Sequence, residues 1–242
     1  MKFIVYLLFI FALLNSVAHA EVTLRLGNSR YPPIVTARHD GVIDQIYQEL
    51  SRRLDIRIII DQVETGERVL INANSGIDDG DIGRGRGLEK RYPNLVIVPV
   101  PVYHYQMAVF SRDLDFHVRG VDSIKPYDIG ILRGWKILED ITRGARSVTS
   151  VESGEQLFTM LDKGRIEIAV FEKSQALFIL DKMKIPGIKL LQPSLLEGDF
   201  YLYLHKKHLK LIPEITKELK KMQKDGTIKR INEAVLKQYV YP

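Results

Sequence analysis

The segment from residue 83 to residue 91 concentrates side chains that could bind an anion. Arginine alternates with glycine in Gly83-Arg84-Gly85-Arg86-Gly87, and a further arginine, Arg91, follows. A guanidinium group is planar and offers paired N–H donors that match the two oxygens of a carboxylate. The glycine spacing does not fit a dinucleotide-binding fingerprint. These arginines therefore indicate either an anion site or a solvated loop face, and an RNA-binding tract is disfavoured.

Motifs for catalysis and for metal binding are missing from the sequence. It contains no Gly-x-Ser-x-Gly elbow and no P-loop. His205 and His208 are three residues apart and lie beside lysines, without the carboxylates that would mark a zinc site. We therefore predict neither a metal ion nor a cofactor.

The first twenty residues have the pattern of a secretory signal peptide. Lys2 precedes the apolar run Phe3–Leu14, and Ala18-His19-Ala20 lies where a signal peptidase would cut. Such a run is too short to cross about 30 Å of hydrocarbon. We predict cleavage before Glu21, export to the periplasm and no stable membrane insertion afterwards; an uncleaved anchor is the alternative.

Composition limits the remaining classes of protein. Cysteine is absent, so disulfides, thiolate metal sites and a lipid-anchored lipoprotein are excluded. Removal of residues 1–20 leaves 222 of the 242 residues, enough for two lobes of about 100 residues each. Loss of Lys2 leaves 34 basic against 30 acidic residues, spread along the chain. This mild excess favours anionic ligands only weakly, and we expect no nucleic-acid partner.

Strand-like and helix-like patterns alternate along the chain, which predicts an α/β protein. Short β-rich runs occur at Val22–Leu26, Ile56–Asp61, Val96–Val100, Met107–Phe110, Ile129–Leu132, Ile166–Phe171 and Phe200–Leu204. Helical periodicity occurs at Val42–Arg53, Glu152–Asp162, Gln175–Met183, Ile212–Lys224 and Thr227–Lys237. No long linker separates two halves, so we expect the chain to cross between lobes inside the fold. The predicted lobes are residues 21–112 with 200–242, and the inserted residues 113–199.

Several of these segments together resemble bacterial extracellular solute-binding protein family 3. The resembling segments are Tyr31-Pro32-Pro33, Asp40-Gly41 before the first helix, Asp79–Arg91, Asp128–Gly134, Glu167–Glu172 and Leu219–Tyr239. The resemblance implies the two-lobed type II periplasmic binding protein fold, with two crossover strands at the hinge. It covers nearly all of the mature chain, although each motif alone is weak.

The resemblance also implies a ligand site between the lobes. Arg91 stands where family members hold the ligand carboxylate, and Arg84 or Arg86 could reach the cleft instead. Glu172 stands where family members place an acid for the ligand ammonium, with an exposed surface position as the alternative. Tyr31, before two stiffening prolines, is either an aromatic wall of the pocket or part of the core.

The position after Gly134 departs from the family pattern. Family members usually place threonine there, whereas this chain has Trp135, its only tryptophan. The indole removes a hydroxyl donor and adds bulk, so the ligand stacks on it, or the pocket differs in shape, or the ring turns away into packing. This departure disfavours a standard amino-acid ligand.

The function that the resemblance implies is capture of a small polar solute, an amino acid or related carboxylate, by a monomer that docks on an ABC transporter permease. A periplasmic sensory or partner-docking role is the first alternative. The second is a cyclohexadienyl-dehydratase-like enzyme on the same fold, with Glu172 or His104 as its acid.

Overall fold

The strands and helices alternate along the chain, as the sequence predicts. The computed structural model describes residues 22–28, 32–62 and 65–239. Its strands are β1 (Thr23–Asn28), β2 (Arg57–Gln62), β3 (Gly80–Arg84), β4 (Leu95–Ser111), β5 (Asp128–Leu132), β6 (Ser147–Val151), β7 (Ile168–Glu172) and β8 (Lys189–His205). Its α-helices are α1 (Val42–Leu54), α2 (Gly66–Ser75), α3 (Lys136–Ile141), α4 (Gly154–Asp162), α5 (Lys173–Met183), α6 (Ile212–Lys224) and α7 (Thr227–Tyr239). The predicted signal peptide and Tyr31 lie outside the described residues.

The described strands form one sheet in the order β2-β1-β3-β8-β4-β7-β5-β6. The strands β4 and β8 contain 17 residues each and run antiparallel, from Leu95 opposite His205 to Ser111 opposite Lys189. Strand β3 pairs with the C-terminal end of β8, and β7 pairs with the C-terminal end of β4. Two long central strands therefore join a first half of the sheet (β1 to β3) to a second half (β5 to β7).

The sequence predicts only parts of β4 and β8 because proline interrupts their β-rich pattern. Pro99 and Pro101 lie inside β4, where its register with β8 shifts between residues 97 and 103. Pro193 lies inside β8, opposite a further shift between residues 107 and 109. Proline cannot donate a hydrogen bond to a neighbouring strand, and within sheets it is found at edges and bulges. The two segments predicted separately in residues 96–110 therefore belong to one continuous strand.

Helix α1 follows from its sequence pattern. Its apolar positions Val42, Ile46 and Leu50 are fully buried, as expected for one apolar stripe on a helix. At its start, the carboxylate of Asp44 accepts a 3.0 Å hydrogen bond from the amide of Gly41, which satisfies a donor that the helix leaves unpaired. The predicted helix at this position is confirmed.

The helices divide between the two halves of the sheet. Helices α1, α2, α6 and α7 pack on or beside the first half, and α3, α4 and α5 pack on the second. A large apolar core extends through both halves, and a smaller cluster around Tyr92 and Tyr203 lies beside α2. Within the described ranges, no helix is long and apolar enough to cross a membrane.

Candidate ligand-binding site

Residues from both halves of the sheet line one cavity of about 260 Å³, which we call the arginine cavity. The first half contributes the start of α2 and the segment after β3, and the second half contributes the turn from β5 into α3. Its lining residues are Gly66, Glu67, Leu70, Arg84, Gly85, Arg86, Leu88, Arg91, Tyr92, Tyr105, Met107, Gly134, Trp135, Lys136, Ile137 and Phe200. All three arginines of the predicted segment, and Trp135, therefore meet at one place.

Arg84 is the arginine held most firmly in the cavity wall. It is the last residue of β3, and its Nε donates a 2.6 Å hydrogen bond to Oδ2 of Asp81. Its Nη2 donates to the carbonyl oxygen of Gly66 at 3.2 Å. The side chains of Arg84 and Asp81 are only 16% and 1% exposed. Asp81 and Gly66 therefore fix the plane of the Arg84 guanidinium group in the cavity wall.

Arg86 lies two residues further on and is exposed. Its guanidinium carbon lies 4.2 Å from the centre of the Tyr201 ring, a cation–π contact. Among the described residues, no carboxylate forms an ion pair with it. Within the described part of the chain, its guanidinium group therefore contacts an aromatic ring rather than a carboxylate.

Arg91 reaches the cavity from a more exposed position. It follows a short 3-10 helix, Leu88–Lys90, and its side chain is 64% exposed. Its Nη2 lies 3.0 Å from Oε1 of Glu67, and the same oxygen accepts a hydrogen bond from the hydroxyl of Tyr92. Burial, together with Glu67, raises the pKa of Tyr92 above its usual range. The charge of Arg91 is therefore partly neutralised by Glu67, an acid that also lines the cavity.

The turn from β5 into α3 supplies the wall from the second half of the sheet. Gly134 takes a positive φ of 77° at this turn, a conformation that favours glycine. Trp135 is the residue before α3, and its ring lies 5.1 Å from that of Phe171. It therefore lines the cavity and also packs against Phe171 in the second half, while stacking of a ligand on the indole stays a prediction.

Lys136 is a cavity residue that the sequence pattern does not predict. Its Nζ lies 2.9 Å from Oε2 of Glu139. Hydrogen bonding to Glu139 raises the pKa of Lys136, with a smaller opposing effect of Arg91 and a smaller raising effect of Glu67. Lys136 therefore interacts electrostatically with Glu67 and Arg91, which line the same cavity from the first half of the sheet. The sequence does place Lys136 directly after Trp135, a predicted site residue, and this neighbourhood could have indicated that Lys136 lies near the site.

Aromatic side chains from the central strands complete the walls, and the sequence pattern does not predict them either. Tyr105 in β4 and Phe200 in β8 stack with their ring centres 4.4 Å apart. Gly198 makes this possible, because a Cβ there would meet the Tyr105 hydroxyl at 2.5 Å. Tyr105 and Phe200 meet only because β4 pairs with β8, and no pattern of neighbouring residues predicts the pairing of strands so distant in sequence.

Glu172 does not join the arginines. Its side chain is buried and caps α5, where its Oε2 accepts hydrogen bonds from the amide of Gln175 at 2.9 Å and the hydroxyl of Ser174 at 2.6 Å. The hydroxyl of Tyr103 donates to Oε1 at 3.1 Å. Burial raises the pKa of Glu172 above its usual range. It borders a separate cavity of about 220 Å³, which His104 also lines.

Comparison with known proteins reveals similarity in structure alone. No family model matches the chain, and no curated protein does. The GluR0 ligand-binding core in complex with L-glutamate superposes with a TM-score of 0.79 and 13% identity, over 90% of this chain and 99% of that one. A histidine kinase sensor domain described as similar to periplasmic binding proteins gives a TM-score of 0.75 and 15% identity, over 90% and 96%.

A third similar structure is a transport protein. It is an amino acid ABC transporter substrate-binding protein from Streptococcus pneumoniae bound to L-arginine, with a TM-score of 0.71 and 15% identity, over 90% of this chain and 96% of that one. At these identities the similarity concerns the fold. The chain therefore has the two-lobed type II periplasmic binding protein fold that its sequence predicts, with β4 and β8 as the two crossover strands.

Proposed function

We propose that the chain is a periplasmic solute-binding protein that captures a small polar solute, an amino acid or related carboxylate, in the arginine cavity. The observation that carries this proposal is that Arg84 and Arg86 from the first half of the sheet, and Trp135 and Lys136 from the second, line one cavity. A solute that contacts both sides stabilises the closed arrangement, so binding is a population shift.

Within this proposal, Arg84 is the principal ligand of the solute carboxylate. Its plane is fixed by Asp81 and Gly66, and its side chain is mostly buried. Arg86 and Arg91 add positive charge, and Trp135 packs against the body of the solute. Tyr31 remains a proposed aromatic wall, whereas the capping role of Glu172 argues against contact with a solute in this cavity.

We further propose that residues 21–112 and 200–242 form one lobe and that residues 113–199 form the other. Pairing of β3 with residues 201–204 of β8, and of β7 with residues 107–111 of β4, supports a division close to these bounds. Export through the signal peptide at residues 1–20 would place both lobes in the periplasm.

The partner of the closed form is proposed to be an ABC transporter permease. A signalling partner is the alternative, since both a transport protein and a sensor domain share the fold. Deletion of the chain from its host separates the two: loss of solute uptake supports transport, whereas normal uptake with a lost response to the solute supports sensing.

The small number of acidic side chains in the arginine cavity favours a binding protein over an enzyme. Of the described residues that line the arginine cavity, Glu67 is the only carboxylic acid, and Arg91 is paired with it. The two acids considered for a dehydratase, Glu172 and His104, line the other cavity. Incubation with prephenate-like acids, followed by product analysis, should therefore give no turnover.

A ligand screen tests solute capture directly. The mature chain is mixed with amino acids and small carboxylates, and its melting temperature and tryptophan emission are recorded. Because Trp135 is the only tryptophan and lines the cavity, a true ligand should raise the melting temperature and change the emission together. No response across a broad panel would overturn the proposed function.

A further inference from the structure

The lining of the arginine cavity has a strong excess of positive charge. Its described residues include four cationic side chains and one acid; the cations are Arg84, Arg86, Arg91 and Lys136, and the acid is Glu67. The chain as a whole is only mildly basic, at +5 over 242 residues. The excess is therefore a property of this site.

The acids that balance these cations are mostly held away from the cavity. Asp81, the partner of Arg84, is buried and is not a lining residue. Glu139, the partner of Lys136, is not a lining residue either. Glu67 does line the cavity, but its Oε1 already accepts hydrogen bonds from Arg91 and Tyr92. Among the described lining residues, a ligand thus meets cationic donors in excess, and the one acid already shares an oxygen with Arg91 and Tyr92.

The cations also occupy two sides of the cavity. Arg84 and Arg86 lie at the end of β3, in the first half of the sheet, and Lys136 lies at the start of α3, in the second. The rings of Tyr105, Phe200 and Trp135 line the same cavity and supply its apolar surface. This arrangement suits a molecule with an anionic group at each end and an apolar body in the middle.

We propose that the preferred ligand is a small dicarboxylate without an ammonium group. One carboxylate binds Arg84 and Arg86, and the other binds Lys136, while the carbon chain packs against the rings. The inference rests on the proposed function and specifies its ligand class. It also explains how a solute would connect the two lobes, because each carboxylate binds a different one.

Calorimetry with matched compounds tests this inference. Succinate is compared with L-aspartate, glutarate with L-glutamate, and phenylsuccinate with 3-phenylpropanoate, which lacks one carboxylate. In at least one pair, we expect the dicarboxylate without ammonium to bind about 10- to 100-fold more tightly, the effect of one charge-assisted hydrogen bond. Equal or tighter binding by the amino acid or the monocarboxylate in every pair that binds would overturn the inference.

The variant Lys136→Met tests the second anchor. The preference for phenylsuccinate over 3-phenylpropanoate, or for succinate over its monomethyl ester, should fall to about 3-fold or less when this charge is removed. The control is Lys163→Met, which removes an exposed lysine from the same half of the sheet, outside the cavity, and should keep the preference. A preference that survives Lys136→Met would overturn the assignment.

Failure of this inference and failure of solute capture are distinguishable. If succinate, glutarate and phenylsuccinate give no binding signal while an amino acid binds and shifts the emission of Trp135, the dicarboxylate inference is wrong and the proposed function stands. If the amino acids are silent as well, in calorimetry and in the thermal screen, both are overturned.

Discussion

His104 in β4 lies directly opposite Asp199 in β8, and its Nδ1 is 2.9 Å from Oδ1 of that carboxylate. Glu197 lies 3.4 Å from the other ring nitrogen. Hydrogen bonding to Asp199 and then to Glu197 raises the pKa of His104 above its usual value of 6.5. An ionisable pair therefore joins the two long strands β4 and β8 near the middle of their ladder.

This pair predicts a pH-dependent contribution to stability. Because the pKa of His104 is raised in the folded state, its contribution should be fully present below about pH 6.5 and be lost as pH rises through the raised value. The side chain is 56% exposed, so the effect should stay below about 1 kcal/mol. Urea unfolding of the wild type and His104→Asn should differ most near pH 6 and agree near pH 9. A difference independent of pH would contradict this prediction.

Arg53 should contribute strongly to the packing of the C-terminal helices. Its guanidinium contacts Glu49 in α1, Glu218 in α6 and Asp225 in the following turn, and its side chain is 19% exposed. Arg53→Ala leaves the largely buried Glu218 with less compensation, and should reduce the free energy of unfolding by about 1 to 3 kcal/mol. Chemical denaturation measures the loss.

Arg52→Ala is the matched control for Arg53. Arg52 is 71% exposed and pairs with the same Glu49. Its removal should leave the free energy of unfolding almost unchanged, since exposed ion pairs contribute little. Equal losses in the two variants would show that Arg53 acts only through Glu49.

Arg84 and Arg91 should differ in their effect on solute affinity. Arg84→Ala removes a mostly buried, preorganised guanidinium, and should weaken binding of the identified solute about 30-fold or more. Arg91→Ala removes a group that is 64% exposed and paired with Glu67, so the loss should stay below about 5-fold. Calorimetry gives both values, and Arg84→Lys separates charge from geometry. The reverse order would make Arg91 the anchor, as the family resemblance implies.

Glu172 should matter for stability rather than for affinity. Its carboxylate caps α5 and accepts three hydrogen bonds, so Glu172→Ala should cost about 1 to 2 kcal/mol of unfolding free energy. Solute affinity should change by less than about 3-fold. A loss of affinity that exceeds the loss of stability would place Glu172 in the binding site.

The sequence predicts the elements whose formation depends on neighbouring residues and misses those that depend on a distant partner strand. The burial of Val42, Ile46 and Leu50 follows from their spacing. The first part of β8 was not predictable, because Pro193 breaks the pattern and the strand depends on its partner β4. Strand β3 was missed as well, since Gly80 and Gly83 lower the strand propensity. Gly80 is nonetheless required, because a Cβ there would lie 2.1 Å from the carbonyl oxygen of Tyr203.

The candidate site was predictable only in part. Arginine at residues 84, 86 and 91 indicated anion binding, and the three side chains do line one cavity. The sequence could not rank them, since their difference lies in the positions of Asp81 and Glu67. For Glu172, the helix was predicted to begin at Gln175, whereas α5 begins at Lys173. This shift turns the acid from a residue near a helix into the residue that caps it.

The prolines inside β4 have a mechanical consequence. Pro99 and Pro101 carry no N–H, so the ribbon formed by β4 and β8 lacks some of its cross-links where the register shifts. A bend of the ribbon at this point therefore breaks fewer hydrogen bonds than a bend along an unbroken ladder. The proposed closure of the lobes would draw on this local compliance of the two long strands.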